Sequence, residues 1–243
     1  MSRMRKTQSA QFLVIILCAL ALKLHYSRAT PDQLRWILGP TTTLVELLSG
    51  RSFQFESYAG YMSSDHKFLI AASCAGVNFL ITAFLLLALR TLLRDRSSVQ
   101  SWRLIPLHAA VAYITTIIAN TVRICFALWL QQLPDDISWL SGSQLHRVEG
   151  TIIYFGFLLL LFVLTEENVL EKSPGFLRRL GFALTVYYSM TLAIPLLNGG
   201  YHYRGFLEHF IFVLVLPLIM VALLVALQSL VTKVRAVPAR SVG

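Results

Sequence analysis

Runs of apolar residues long enough to cross a bilayer recur along this chain, and they limit its possible folds more than any other feature. A hydrocarbon core of ~30 Å takes about 20 residues of helix, with a range of ~17–25. Runs near that length fall at 10–24, 68–89, 104–130, 150–165, 180–197 and 206–231. Backbone groups inside lipid must be satisfied within the span, so each run is expected to be a helix. The predicted fold is therefore all-α: a polytopic membrane bundle of six spans, forming one membrane-embedded domain over 1–243. Composition points the same way. The chain is 56% hydrophobic and 14% charged, against about 45–50% and about 25% in soluble domains. The segment 32–66 stands apart, with Thr41, Thr42, Thr43, Glu46, Glu56 and Asp65. Its apolar piece, Thr43 to Leu48, is too short to span and reads as an amphipathic or re-entrant element.

A net charge of +9 could suggest nucleic acid as a partner. The basic residues, however, sit in short clusters beside apolar runs, which suits anchoring and orientation in a bilayer. There is no basic stripe interleaved with aromatics, so no nucleic-acid partner is expected. Membrane lipids are the expected surroundings. With the N-terminus in the cytoplasm, the inside segments carry thirteen basic residues: Arg3, Arg5, Lys6, Arg90, Arg94, Arg96, Arg103, Lys172, Arg178, Arg179, Lys233, Arg235 and Arg240. The outside segments carry seven: Lys23, Arg28, Arg35, Arg51, Lys67, Arg147 and Arg204. Both termini are expected inside. The first run also has features of a signal peptide, with a basic start and Ala19-Leu20-Ala21, although Lys23 and the length of the run favour a retained helix.

Against this apolar background three polar positions stand out. A charged side chain at bilayer depth costs about 2.5–3.5 kcal/mol on insertion scales, so Arg123 needs a reason. Asn120, three residues earlier, shares its helical face. The alternative is an arginine that snorkels to the headgroups. Cys74 lies in Ser73-Cys74-Ala75-Gly76-Val77-Asn78, about two turns below the outer surface if the helix begins at 68. Asn78 is then beneath the thiol, and the small Gly76 leaves room for a neighbouring backbone. His146 falls where the chain re-enters the membrane from outside, with Glu149 three residues on. A thiol attacks a carbonyl as its thiolate, which a nearby cation or imidazole favours. Histidine can hand a proton to a leaving amine. A guanidinium can meet the oxyanion that develops on the carbonyl. The coincidence of depth points to acyl transfer through Cys74, Arg123 and His146, with Asn78, Asn120, Gly76 and Glu149 in support. His202, Glu208 and His209, at the outer start of the last helix, are rivals to His146. Cys125 is two residues from Arg123 and points to another face, and Cys18 lacks the small preceding residue of a lipidation site. Neither metal-ligand spacing nor a nucleotide loop is present, so no metal and no cofactor is expected.

The residues Ser73-Cys74-Ala75-Gly76 with Asn78-Phe79, then Asn120-Thr121-Val122-Arg123-Ile124, then His146 with Glu149-Gly150, resemble the exosortase/archaeosortase family over roughly 60–165. Leu196-Leu197-Asn198-Gly199 and Phe206-Leu207-Glu208-His209 resemble the exosortase K type. The resemblance implies an inner-membrane cysteine protease or transpeptidase with Cys74 as nucleophile, His146 as acid/base and Arg123 as transition-state stabiliser. Its implied partners are exported proteins whose C-terminal sorting signal is a short motif, a transmembrane helix and a basic tail, cleaved on the outer side. A different class remains open from the residues alone: a small transporter or channel subunit in which Arg123 binds an anion.

Overall fold

The computed structural model describes residues 2–94, 98–132, 142–166, 174–199, 202 and 205–236. Among them, six helices are long and apolar enough to cross a membrane: Thr7–Arg28, Ala72–Leu93, Trp102–Leu130, Gln144–Thr165, Gly175–Leu197 and Phe206–Thr232. The six spans expected from hydropathy are thus present, and the chain is an all-α, multi-pass membrane protein. The chain divides into two compact units, 1–149 and 150–243.

In the first unit, α1 (Ser2–Arg28), α2 (Arg35–Ser49), α3 (Val77–Arg94) and α4 (Ser98–Leu130) pack together, and α5 (Gly142–Thr165) begins. Helix α3 is the central element, lying against both α1 and α4, while α2 lies against α4. Its residues Val77, Ile81, Ala83 and Leu86 are almost wholly buried. Each buried aliphatic side chain gives dispersion contacts that lipid supplies less densely. Several hydroxyls on these apolar helices are satisfied locally. Thr116 donates to the Ala112 carbonyl and Thr82 to that of Asn78, which spares a polar group the cost of burial without a partner. Lys23, Arg28, Arg90 and Arg103, counted above as loop charge, all lie within helices, and Arg90 is buried.

The segment between α1 and α3 is more structured than its mixed composition suggested. Helix α2 spans fifteen residues rather than the six from Thr43 to Leu48. After it comes a small antiparallel sheet, β1 (Phe53–Glu56), β2 (Gly60–Ser63) and β3 (Leu69–Ile70), in the order β1-β2-β3. Glu46 ties α2 to the sheet by accepting a 2.7 Å bond from the Phe53 amide. The Arg35 guanidinium lies 3.6 Å from the centre of the Phe55 ring, a cation–π contact. Gly60 has φ +125°, and a Cβ there would come within 2.3 Å of the Ile70 carbonyl oxygen. Only glycine lets β2 approach β3 this closely.

The second span departs from expectation in kind. Of residues 68–71, read as its start, Leu69 and Ile70 form β3, and Phe68 and Ala71 flank it. Hydropathy cannot separate a short buried strand from the first turn of a helix, because both are apolar.

The second unit holds the rest of α5, α6 (Pro174–Tyr188), α7 (Ile194–Leu197) and α8 (Phe206–Ala236). A π-helical turn, Ser189–Ala193, joins α6 to α7. Phe155 meets Tyr187 edge-on at 4.9 Å, and Phe162 meets Phe176 at 5.8 Å. Arg179 pairs with Glu166 at 2.7 Å, and the Tyr188 hydroxyl donates to the Leu214 carbonyl at 2.8 Å. Most of α8 is exposed along its apolar length, as at Leu218, Leu223 and Leu227, the surface expected of a helix facing lipid.

Candidate active site

Cys74 lies at the start of the candidate span Ala72–Leu93, ahead of its α-helical part. It is the third residue of a 3₁₀ turn, Ala72–Ala75, which follows the extended Ala71. Its amide donates to the Ala71 carbonyl at 2.8 Å. The turn ends at Gly76, whose φ of +69° is left-handed, and α3 starts one residue later. Gly76 therefore has a backbone task, breaking the chain between turn and helix, besides its small size. The break also undoes the expected stacking of Asn78 beneath the thiol, since an i, i+4 relation needs continuous helix. Asn78 instead accepts a 2.7 Å hydrogen bond from the Lys23 ammonium on α1.

Helix α4 brings the next pair. Asn120 is fully buried, and its side-chain nitrogen donates to the Cys74 carbonyl. Its carbonyl oxygen accepts from Arg123 Nε at 3.4 Å. The spacing of three puts both side chains on one helical face, as the sequence indicated. The amide thus links the cysteine turn to the arginine. Arg123 is itself buried, at 7% exposed, so it does not reach into headgroups from a lipid-facing position.

His146 lies in the first turns of α5, with Nε2 3.2 Å from Arg123 Nη1. A guanidinium has only donors, so Nε2 acts as acceptor and the ring proton falls on Nδ1. On that side Glu149 Oε2 is 3.9 Å away. The histidine side chain is 55% exposed and that of Glu149 only 2%. The second carboxylate oxygen, Oε1, is buried with no hydrogen-bond partner among the described residues. An unmatched buried oxygen is costly unless something else engages it.

One chain of polar contacts therefore runs from the Cys74 carbonyl through Asn120 and Arg123 to His146, with Glu149 beyond. These residues span 74 to 149, and a family model described as "Transmembrane exosortase" matches residues 41–164, just over half of the chain. The chain belongs to the transmembrane exosortase family. No curated protein and no solved structure matches it. The exosortase match covers the sheet, the cysteine turn, α3, α4 and nearly all of α5.

The rivals to His146 lie in the second unit: His202 in a short turn after α7, Glu208 and His209 in the first turn of α8. Cys125 is half-buried, and Cys18 is exposed on the apolar α1. Among the described residues, no group of three or more His, Cys, Asp or Glu could hold a metal ion.

Sequence reasoning passed over α1. Besides Lys23, this helix brings Tyr26, half-buried, with its hydroxyl 3.5 Å from the Ala72 carbonyl oxygen. Lys23 Nζ stands 5.9 Å from the centre of the Tyr26 ring. The available signal was Lys23 itself, the single charge within the apolar run 10–24.

Proposed function

We propose that this exosortase-family protein is a cysteine peptidase of the transpeptidase type, cleaving C-terminal sorting signals of exported proteins at the outer face of a bacterial inner membrane. The carrying observation is the Arg123 side chain, joined to the Cys74 turn through Asn120 and to His146 directly. The excess of basic residues at the opposite ends of the spans supports the outward orientation of this end and both termini inside. The segments Leu196–Gly199 and Phe206–His209 support the K type within the family.

The chemistry follows from the residues. Cys74 reacts as thiolate, its Sγ forming a bond to the scissile carbonyl carbon while the C=O π pair moves onto oxygen. Arg123 meets the resulting oxyanion, and its burial strengthens that attraction. The Arg123–His146 contact has to loosen as the guanidinium turns to the substrate, which releases His146 Nε2 to take the proton that the Cys74 thiol gives up on becoming thiolate. Collapse of the intermediate re-forms the C=O bond, breaks the C–N bond and sends the amine out with a proton carried by His146. Glu149 faces Nδ1 and steadies the imidazolium formed in this cycle. The thioester left on Cys74 is opened by an acceptor nucleophile, whose proton returns to His146 as the C–S bond breaks. When water is the acceptor the outcome is hydrolysis, and with an amine it is transfer.

The test is maturation of a tail-anchored substrate. Cys74→Ala should abolish cleavage while protein level and membrane insertion stay at wild-type values. Cleavage that continues unchanged in that variant overturns the reading.

A further inference from the structure

A 3₁₀ turn of four residues leaves most of its carbonyls without backbone partners. Two carbonyls of the Ala72–Ala75 turn face side chains arriving from different helices. The Ala72 oxygen faces the Tyr26 hydroxyl of α1 at 3.5 Å, and the Cys74 oxygen accepts from Asn120 of α4. The nucleophile's backbone is thus gripped on both sides. Two residues beyond Gly76, Lys23 of α1 holds Asn78 at the start of α3. Helix α1 packs along α3 and touches α4, which fixes the outer turns of α1 against this site.

We infer that Tyr26 is a positioning residue of the active site, clamping the Cys74 turn together with Asn120, and that Lys23 locks α1 to α3 so that the clamp stays closed. This rests on Cys74 being the nucleophile. A carbonyl gripped from one side only lets the turn pivot about Gly76, whose left-handed backbone is a natural hinge. A pivot of this kind shifts Sγ relative to Arg123, and a displacement of about 1 Å can cost ~100-fold in rate. On this inference α1 is a working wall of the enzyme and stays with it after insertion.

The test uses the full-length protein in membranes, with Cys18 and Cys125 changed to serine so that a small maleimide reads Cys74 alone. Among the described residues, the charged and titratable groups tied by contacts to the cysteine turn and its neighbours are Lys23 and Tyr26 from α1, Arg123 from α4, and His146 and Glu149 from α5. Tyr26→Phe keeps the ring and removes the grip. It should lower the turnover of substrate about 10- to 100-fold with KM changed by less than about twofold. It should also move the pH midpoint of Cys74 alkylation, because the thiol settles at a new distance from Arg123. Lys23→Met should do the same to a smaller extent. Wild-type turnover and an unmoved alkylation profile in Tyr26→Phe overturn the inference. A second measurement covers a variant that fails to accumulate: if mature wild-type protein isolated from cells lacks residues 1–28 and still cleaves substrate, the inference is equally overturned. Alkylation requires no substrate, so a shifted profile beside normal cleavage in Cys74→Ala would reject the nucleophile and leave the clamp standing.

Discussion

Arg123 carries more of this site than any other side chain, because it is buried, always charged and shared between two neighbours. Its guanidinium offers five donors in a rigid fork, and here Nε serves Asn120 while Nη1 serves His146. Lysine offers a single point charge and cannot hold both at once. Arg123→Lys should therefore reduce substrate cleavage by ~100-fold or more, in the range seen when one oxyanion donor is removed. Assay of cleaved product at matched protein level checks this, and near-normal cleavage would remove Arg123 from the transition state. Glu149 makes a second case. Its carboxylate is buried beside the histidine nitrogen that carries the proton. Glu149→Gln keeps the shape and removes the charge, so the imidazolium loses its counter-charge. Turnover should fall by about 10-fold or more, with substrate KM near wild type. A change confined to KM would make Glu149 a binding residue instead.

The small sheet is the element that delivers the cysteine turn, since β3 ends two residues before Ala72. Gly60 lets β2 close on β3, and a methyl group there would collide with the Ile70 carbonyl oxygen. Gly60→Ala should destabilise the sheet by about 2 kcal/mol or more, because backbone strain and a backbone clash act together. Limited proteolysis within 50–70 should become faster, and unchanged resistance would show that the strands can part without cost. The β2–β3 turn is pinned by Asp65, which accepts from the Ser63 hydroxyl at 2.6 Å and from the Lys67 amide at 3.2 Å. These bonds hold its carboxyl below the usual value of 3.8. A depressed folded-state value means the stabilisation is complete above the ordinary carboxylate range and is lost as pH falls through the lower value. Amide exchange at Lys67 should accordingly be insensitive to this group near neutrality and should lose protection only in acid. Loss of protection between pH 5 and 7, both about a unit or more above an ordinary carboxylate, would contradict this.

Across the whole molecule, orientation is the property that decides which substrates the site can meet. The proposed topology, with thirteen basic residues inside against seven outside, has the Cys74 end facing out. Ser57 is exposed between β1 and β2, so Ser57→Cys should be labelled by a membrane-impermeant thiol reagent added to right-side-out membranes. Labelling that appears only after the membrane is opened would invert the topology, and cleavage at the outer face would go with it.

The sequence by itself determined that the chain is a multi-pass membrane protein with six spans, and it offered a cysteine, an arginine and a histidine in an order that resembles the exosortase family. Hydropathy accumulates locally along the chain, and the family's motifs are local too, so both are legible without any knowledge of packing. The Asn120–Arg123 pair was legible for the same reason, being a matter of three residues on one helix. Only the tertiary structure decided what touches what across helices. Asn120 meets a carbonyl 46 positions away, and Lys23 meets an amide 55 positions away. Neither partner follows from periodicity, because each depends on how α1, α3 and α4 are packed. The place of Cys74 on a 3₁₀ turn, not a helix, was hidden too. An apolar strand, a tight turn and a helix start present the same hydropathy, and a single left-handed glycine separates them.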